Sequence, residues 1–331
     1  MTANDPRTIA DAFGRTTALV VGDVMVDAYL WGRVDRISPE APVPVVQVTR
    51  RSARLGGAAN VARNMHALRA RPIVVSVIGD DDHARTLERL LVEEGLAPDG
   101  VVRSKNRRTT VKTRIISGHQ HVVRVDEEMD EDITGGEEDL LLARLETLIR
   151  TERPGVVVLE DYNKGVLTER VITGTIALAK AAGVPVAVDP KKRNFFAYQG
   201  VDLFKPNLKE LREGLKTEIP SGDLAAVRQA VAQLEQRLGN TISLITLSEH
   251  GVYAHRGAEE FTAPAHARSI ADVSGAGDTV IAVAALLLAQ GAPLATLAAW
   301  ANLAGGLVCE HVGVVPVERD RLLAEAEALL R

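Results

Sequence analysis

The sequence predicts an α/β protein built on a doubly wound, mostly parallel sheet, with a small separate β-sheet beside it. Three observations carry that reading. From Gly135 onward, short apolar runs alternate with helical stretches, the pattern of a parallel sheet wrapped by helices on both faces. The runs are continuously apolar, as strands buried on both faces must be. Two segments, Trp31 to Arg51 and Thr109 to Glu128, break the alternation, the first with prolines and the second with a hairpin-like pair of runs. A chain of 331 residues suffices for one large domain or two modest ones, and a single domain over 1–331 is expected.

Taken in order, LVVGDVMVD (Leu19 to Asp27) reads as a buried strand with Asp23 and Asp27 at or past its carboxyl end. Ligands of open α/β sheets bind at that end, so Asp27 is a candidate for holding a polar ligand. A turn-initiating aspartate is the competing reading. Pro39, Pro42 and Pro44 between Trp31 and Arg51 suit an edge strand or an excursion from the main sheet. In LGGAANVARNMHAL, Gly56 and Gly57 open a helix, and Asn60 lies in its first turn facing whatever the glycines admit. A plain glycine-led helix start accounts for the same residues.

A strand (Pro72 to Asp82) and a helix (HARTLERLLVEEG) follow. Then come two strand-like runs, Thr109 to Ser117 and His121 to Glu128. Alternation sets Lys112 and Arg114 on one face, opposite Val111 and Thr113. Joined with the Pro-rich strand, these runs form the small sheet. Their basic stripe either meets an anionic group or faces solvent. His119 and His121 read as solvent-facing.

The later strands read at VVVLED, VPVAVDP, VDLFKPN and ISLITLSE, with helices such as Thr168 to Ala182 and Leu224 to Arg237 between them. Their ends carry Asp161, Asn163 and Lys164; Asp189 and Lys191; Asn207 and Glu210; Ser248 and Glu249. Convergence of these ends implies a long polar cleft. Oxygen ligands such as Glu210 and Asn207 suit Mg²⁺ carried in with a nucleotide.

The stretch DVSGAGDT (Asp272 to Thr279) leads straight into VIAVAALLLAQ, a buried helix. Gly275, Ala276 and Gly277 therefore stand where a loop becomes a helix, with N–H groups and the positive end of the dipole aimed at one spot. That arrangement is an anion hole. Asp278 at its rim suits a base acting on a hydroxyl that attacks a phosphate. An ordinary turn with Asp278 as a helix cap is the alternative.

Composition removes several classes. A net charge of −5 gives no footprint for nucleic acid, and 3% aromatic residues offer no base-stacking platform. Neither G-x-G-x-x-G nor a P-loop occurs. The single cysteine, Cys309, reads as a core residue. The polar N-terminus is not a signal peptide, and the longest apolar run is broken by Gln290, Gly291 and Pro293. A soluble, cytoplasmic protein with neither nucleic-acid nor membrane partners is expected.

GGAANVARN early and DVSGAGDT late resemble the two signatures of the ribokinase-like (PfkB) sugar kinases, over nearly the whole chain from Leu19. GDVMVDAYLWGRVDRISPEAPVPVV, TTVKTRIISGHQHVVRVDEE, EDYNKG, VDPK and LFKPNLKE look like the D-glycero-β-D-manno-heptose-7-phosphate kinases. The resemblance implies a Rossmann-like domain with a small β lid from about 33–50 and 101–127, through which many relatives dimerise. It implies ATP-dependent phosphorylation of the sugar O1, a step toward ADP-heptose for the lipopolysaccharide core. It makes Asp278 the catalytic base and Gly275, Ala276 and Gly277 the anion hole. Gly56, Gly57, Asn60 and Asp27 match sugar-binding positions. Asn207 and Glu210 match an N-x-x-E element that organises Mg²⁺ and phosphates. Ser248, Gly251 and Asn302 fall in regions lining the adenine nucleotide. Asp272, with backbone near Ser274 and Gly313, falls where many relatives bind a monovalent cation such as K⁺.

By charge and motif position, Lys112, Arg114, Arg124 and Lys191 are candidates for the substrate's 7-phosphate, and Arg36 is a further candidate. Asp161 and Lys164 are further substrate-binding candidates. Many bifunctional relatives continue into a nucleotidyltransferase domain bearing H-x-G-H. No such motif occurs here, and the expected product is the 1,7-bisphosphate alone. Where many relatives carry a glycine after VDPK, this chain has KKRNFFAYQG, adding positive charge at Lys192 and Arg193. Rival readings are a kinase of ribose or fructose 1-phosphate, and a sugar-phosphate sensor without catalysis.

Overall fold

The structure, a computed structural model, describes residues 5–118, 120–265 and 268–329. The central strands of its larger sheet have residues that are nearly all buried, whereas the edge strands are more exposed. β1 (Thr17–Gly22) pairs in parallel with β4 (Arg71–Gly79) on one side and β8 (Val156–Glu160) on the other. The small sheet is built from β2 (Val24–Ile37), β3 (Pro44–Gly57), β6 (Thr110–Ser117) and β7 (Gln120–Glu127). β5 (Val101–Ser104) closes one edge of the large sheet. Beyond β8 come β9 (Val186–Asp189), β10 (Leu203–Phe204) and β11 (Ile242–Thr246), all parallel. An antiparallel hairpin, β12 (Val252–Arg256) and β13 (Glu259–Ala263), ends that side.

Alternation along β1 decides the two cores. Ala18 and Val20 point into one cluster, Leu19 and Val21 into the other. The first core receives α1 (Pro6–Phe13), α2 (Ala58–Ala67), α3 (Asp82–Glu93), α8 (Ala276–Ala289), α9 (Leu294–Val308) and α10 (Arg319–Leu329). The second receives α4 (Gly135–Glu152), α5 (Glu169–Ala181), α6 (Leu208–Leu215) and α7 (Leu224–Leu238). The apolar helix α8 is buried on every side from Asp278 to Leu287, which is why its sequence lacks an amphipathic stripe.

The chain leaves the large sheet sooner than its apolar run suggests. β1 stops at Gly22, and the following residues already belong to β2. Asp27 therefore lies within the small sheet and not past the end of the first strand. Asp23, at the junction, accepts N–H bonds from Tyr162, Lys164 and Val166 and so pins the loop after β8. The extent of the small sheet also differs from expectation. It includes Val24–Gly32 and Arg51–Gly57, whereas Val101–Ser104 pairs with β4. Val101 and Val102 pack toward opposite cores, so this strand needs cover on both faces. β3 lies at an edge and begins at Pro44, where a proline costs no ladder bond, and Pro39 and Pro42 fall in the connection before it. His119 lies outside the described residues, and His121 is exposed.

Candidate active site

The carboxyl ends of the parallel strands open into a cleft of about 700 Å³. Among the expected residues it brings together Lys191, Asn207, Glu210, Ser248, Gly251, Asn302 and the turn from Gly275 to Asp278. These come from five separate chain segments, so only the sheet topology unites them.

The turn has the geometry of an anion hole. Gly275 caps α8 at φ 81°, a conformation that side chains rarely adopt, and a Cβ there would lie 3.1 Å from Asn60 Nδ2. The N–H groups of Gly275, Gly277 and Asp278 donate no hydrogen bond among the described residues. Ala276 N–H differs from the expectation, because it is drawn to Val273 O at 3.3 Å. The free donors are thus Gly275, Gly277 and Asp278.

Asp278 is 5% exposed. Asn60 Nδ2 donates to its Oδ2 and Tyr162 Oη to its Oδ1, both over 2.7 Å. Burial pushes its carboxyl up to about 6; the two hydrogen bonds oppose this, while the Asp189 charge adds to it. Helix α2 is locked to α8 by Asn64, which accepts from Thr279 Oγ1 and donates to Asn60 O. Asn60 is therefore fixed from both sides, and its Oδ1 is buried without a partner among the described residues. Gly57 sits at φ 61° against Asp23 O, and a side chain on Gly56 would collide with Asp27. The two glycines let the small sheet close on α2.

The N-x-x-E element is a reciprocal helix cap. Glu210 N donates to Asn207 Oδ1 and Asn207 N to Glu210 Oε2. The other oxygen, Glu210 Oε1, accepts from Lys191 at 2.5 Å. The helix start is thereby held at the cleft with its dipole toward it. Asn302 Nδ2 donates to Pro264 O and braces the far wall. Asp272 accepts from Ser274 N and Gly313 N, tying two loops together outside the cleft.

Arg36 apart, the basic candidates are already paired among the described residues, Lys191 with Glu210. Arg114 is bound to Asp27, Lys112 to Asp126 and Glu128, Arg124 to Asp126, and Lys164 to Glu128. Arg36 is exposed on the small sheet, and Lys192 is exposed after β9. Arg193 pairs with Asp130 and Asp132, so the added charge after VDPK is spent on a surface loop. Asp161 does not face the cleft. It is buried, accepting from Asn163 N and Tyr198 Oη, and it shapes its own loop.

Three residues escaped the reading of the sequence. Tyr162 and Lys205 line the cleft, and Lys205 is buried against Asp189 at 2.7 Å. Arg54 on β3 has no carboxylate partner among the described residues; it donates to Val314 O at 2.7 Å and stacks over Tyr29 at 5.5 Å. Tyr162 and Lys205 lie inside quoted motifs, EDYNKG and LFKPN, but no local pattern says which of their side chains turns inward.

The pfkB family carbohydrate kinases match residues 15–320 of the chain. The bifunctional protein HldE of Caulobacter vibrioides is 46% identical over 319 residues, covering 96% of this chain and 65% of that protein. HldE of Paramagnetospirillum magneticum is 42% identical, covering 93% and 62%. The chain thus spans less than two thirds of these relatives. In fold it is similar to phosphofructokinase-2 from Escherichia coli in complex with potassium (TM-score 0.77, 20% identity, 96% and 99% covered). It is also similar to Arabidopsis thaliana ribokinase complexed with ribose and ATP (TM-score 0.71, 21% identity, 93% and 98% covered). The fold is ribokinase-like, and the chain belongs to the pfkB family as an ATP-dependent sugar kinase.

Proposed function

We propose that the chain phosphorylates O1 of D-glycero-β-D-manno-heptose 7-phosphate, giving the 1,7-bisphosphate. One observation carries the chemistry: Asp278 is held by two donors beside three free N–H groups at the start of α8. A sugar hydroxyl meeting Asp278 gives up its proton as it attacks the γ-phosphoryl of ATP, and the amides hold the charge that builds on the transferring group. The unpartnered Oδ1 of Asn60 supports a sugar hydroxyl as its donor. Glu210 and Asn207 are oxygen donors suited to Mg²⁺ brought in by the nucleotide; when bound, it offsets phosphate charge. Asp272 and the neighbouring backbone are the proposed place of a monovalent cation.

The heptose assignment rests on the RISPEAPVPVV stretch and its companion motifs, supported by the HldE relatives. Arg54 and the Asp27-paired Arg114, both stacked on Tyr29, are the cations best set to meet the sugar's own phosphate. We also infer a homodimer through the small sheet, supported by exposed Val48, Val123 and Val125. Among the described residues, no helix is long and apolar enough to cross a membrane. A cytoplasmic site of action is inferred from the need for ATP.

The deciding experiment is ADP release with Mg-ATP, comparing heptose 7-phosphate, fructose 1-phosphate, fructose 6-phosphate and ribose. Fast turnover with the heptose phosphate alone is expected. Ribose as the best substrate would overturn the heptose assignment and leave the kinase chemistry intact.

A further inference from the structure

Strands β8, β9 and β10 end side by side, and a row of ionisable side chains crosses their ends. Glu160 closes β8 and is in register with Asp189, which closes β9. Lys205 follows β10 directly, and its N–H donates to Val188 O on β9. Their exposures are 0%, 3% and 2%. The row lies beneath the anion hole: a Cβ on Gly277 would be 3.7 Å from both Asp189 Oδ2 and Lys205 Nζ. Lys205 holds Asp189 at 2.7 Å. Glu160 has nothing comparable. Both of its carboxyl oxygens are sealed from solvent, and neither has a partner among the described residues.

Two adjacent buried carboxylates cannot both stay charged at neutral pH without severe cost. Lys205 settles which one does, because it compensates Asp189. The charged and titratable groups around Glu160 are Asp189, Lys191 and Lys205 from the neighbouring strand ends, Tyr162 from its own loop, Tyr198 from the segment between β9 and β10, and Asp278 from α8. On its other side β1 offers the backbone of Gly22. Burial, then Asp189, then Asp278 hold the Glu160 acid well above the usual carboxylate range, and the two lysines oppose them.

We propose that Glu160 is a positioning residue that works as an uncharged carboxylic acid, leaving Asp189 as the anion that holds Lys205 beside the phosphoryl site. It touches no substrate. Its ionisation would set a second anion against Lys205 and against the incoming phosphate. The effect on turnover rests on the kinase mechanism proposed above, whereas the protonation state does not.

Infrared difference spectroscopy of wild type against E160Q at neutral pH tests the protonation state without substrate. A protonated-carboxyl stretch present in wild type and lost in E160Q is expected; its absence from wild type overturns the proposal. Thermal unfolding gives a second reading. A carboxyl raised in the folded state adds stability that is full below its unfolded value and is lost as pH rises toward its folded value. The Tm of E160Q should therefore gain on wild type as pH rises above the ordinary carboxylate range. A Tm difference constant with pH overturns the proposal. In turnover, the wild type should fall about tenfold per pH unit beyond its alkaline limit, E160D should keep that limit and E160Q should lose it. An alkaline limit unchanged in E160Q refutes the positioning role even where the spectrum shows the proton.

Discussion

Tyr162 and Asp278, 116 positions apart in the chain, meet through a 2.7 Å hydrogen bond from the phenol to the carboxylate. The contact exists because Asp23 gathers the N–H groups of the loop after β8 and turns Tyr162 toward the start of α8. Asn60 occupies the other carboxylate oxygen. The proposed base is thus oriented by two elements, each anchored elsewhere.

Replacing Asp278 by Asn keeps the shape and removes the base. The kcat should fall by roughly 10²–10⁴ with substrate binding nearly unchanged. Steady-state kinetics with isothermal titration of the sugar phosphate checks this, and near-wild-type turnover would refute the role.

The pH profile should carry an acid limb near the Asp278 value of about 6, because a base works only when deprotonated. Activity is then full above that limb and lost below it. Tyr162→Phe removes a donor that favours the charged form, so the limb should move to higher pH. A limb that stays in place in Y162F would show that the phenol does not tune Asp278.

Lys205 and Asp189 form a buried pair, and removing one partner strands the other. Lys205→Met should cost about 3–5 kcal/mol of stability. The double variant K205M/D189N should recover part of that loss. Urea unfolding of the single and double variants measures both, and an undiminished K205M midpoint would contradict the pairing.

Arg54 and Arg124 separate two kinds of basic residue on the small sheet. Arg124 is spent on Asp126 at the surface, whereas among the described residues Arg54 has a backbone acceptor and the Tyr29 ring but no carboxylate. Arg54→Met should raise the KM for a phosphorylated sugar about tenfold or more, the worth of one charged hydrogen bond. Arg124→Met should change it little. The reverse ranking in KM would move the phosphate site outward along the sheet.

Much of this architecture was legible in the chain. Continuous apolar runs such as VVVLE and VAVD fixed the parallel strands, because burial on both faces leaves no room for alternation. Pro42 and Pro44 marked the edge of the small sheet. The glycines of DVSGAGDT marked the helix start and the candidate anion hole, since side chains rarely adopt the angle found at Gly275. The run LVVGDVMVD misled because β1 and β2 are separated by a single residue, and an apolar pattern carries no mark of a change of sheet. The basic stripe misled for a different reason. Whether Lys112 or Arg124 is free depends on Asp126 and Glu128, and cross-strand register decides those pairings.

By itself, the sequence determined the fold class, the place of the glycine turns and the candidacy of Asp278. These follow from local patterns: burial, backbone freedom and the dipole of a helix start. Only the tertiary structure decided that Tyr162 and Asn60 share Asp278, that Lys205 pairs with Asp189 and that Glu160 stands beside them without a partner among the described residues. Those relationships arise where separate strand ends meet in a medium of low dielectric. There a carboxyl's charge depends on neighbours distant in the chain, and no stretch of sequence contains them all.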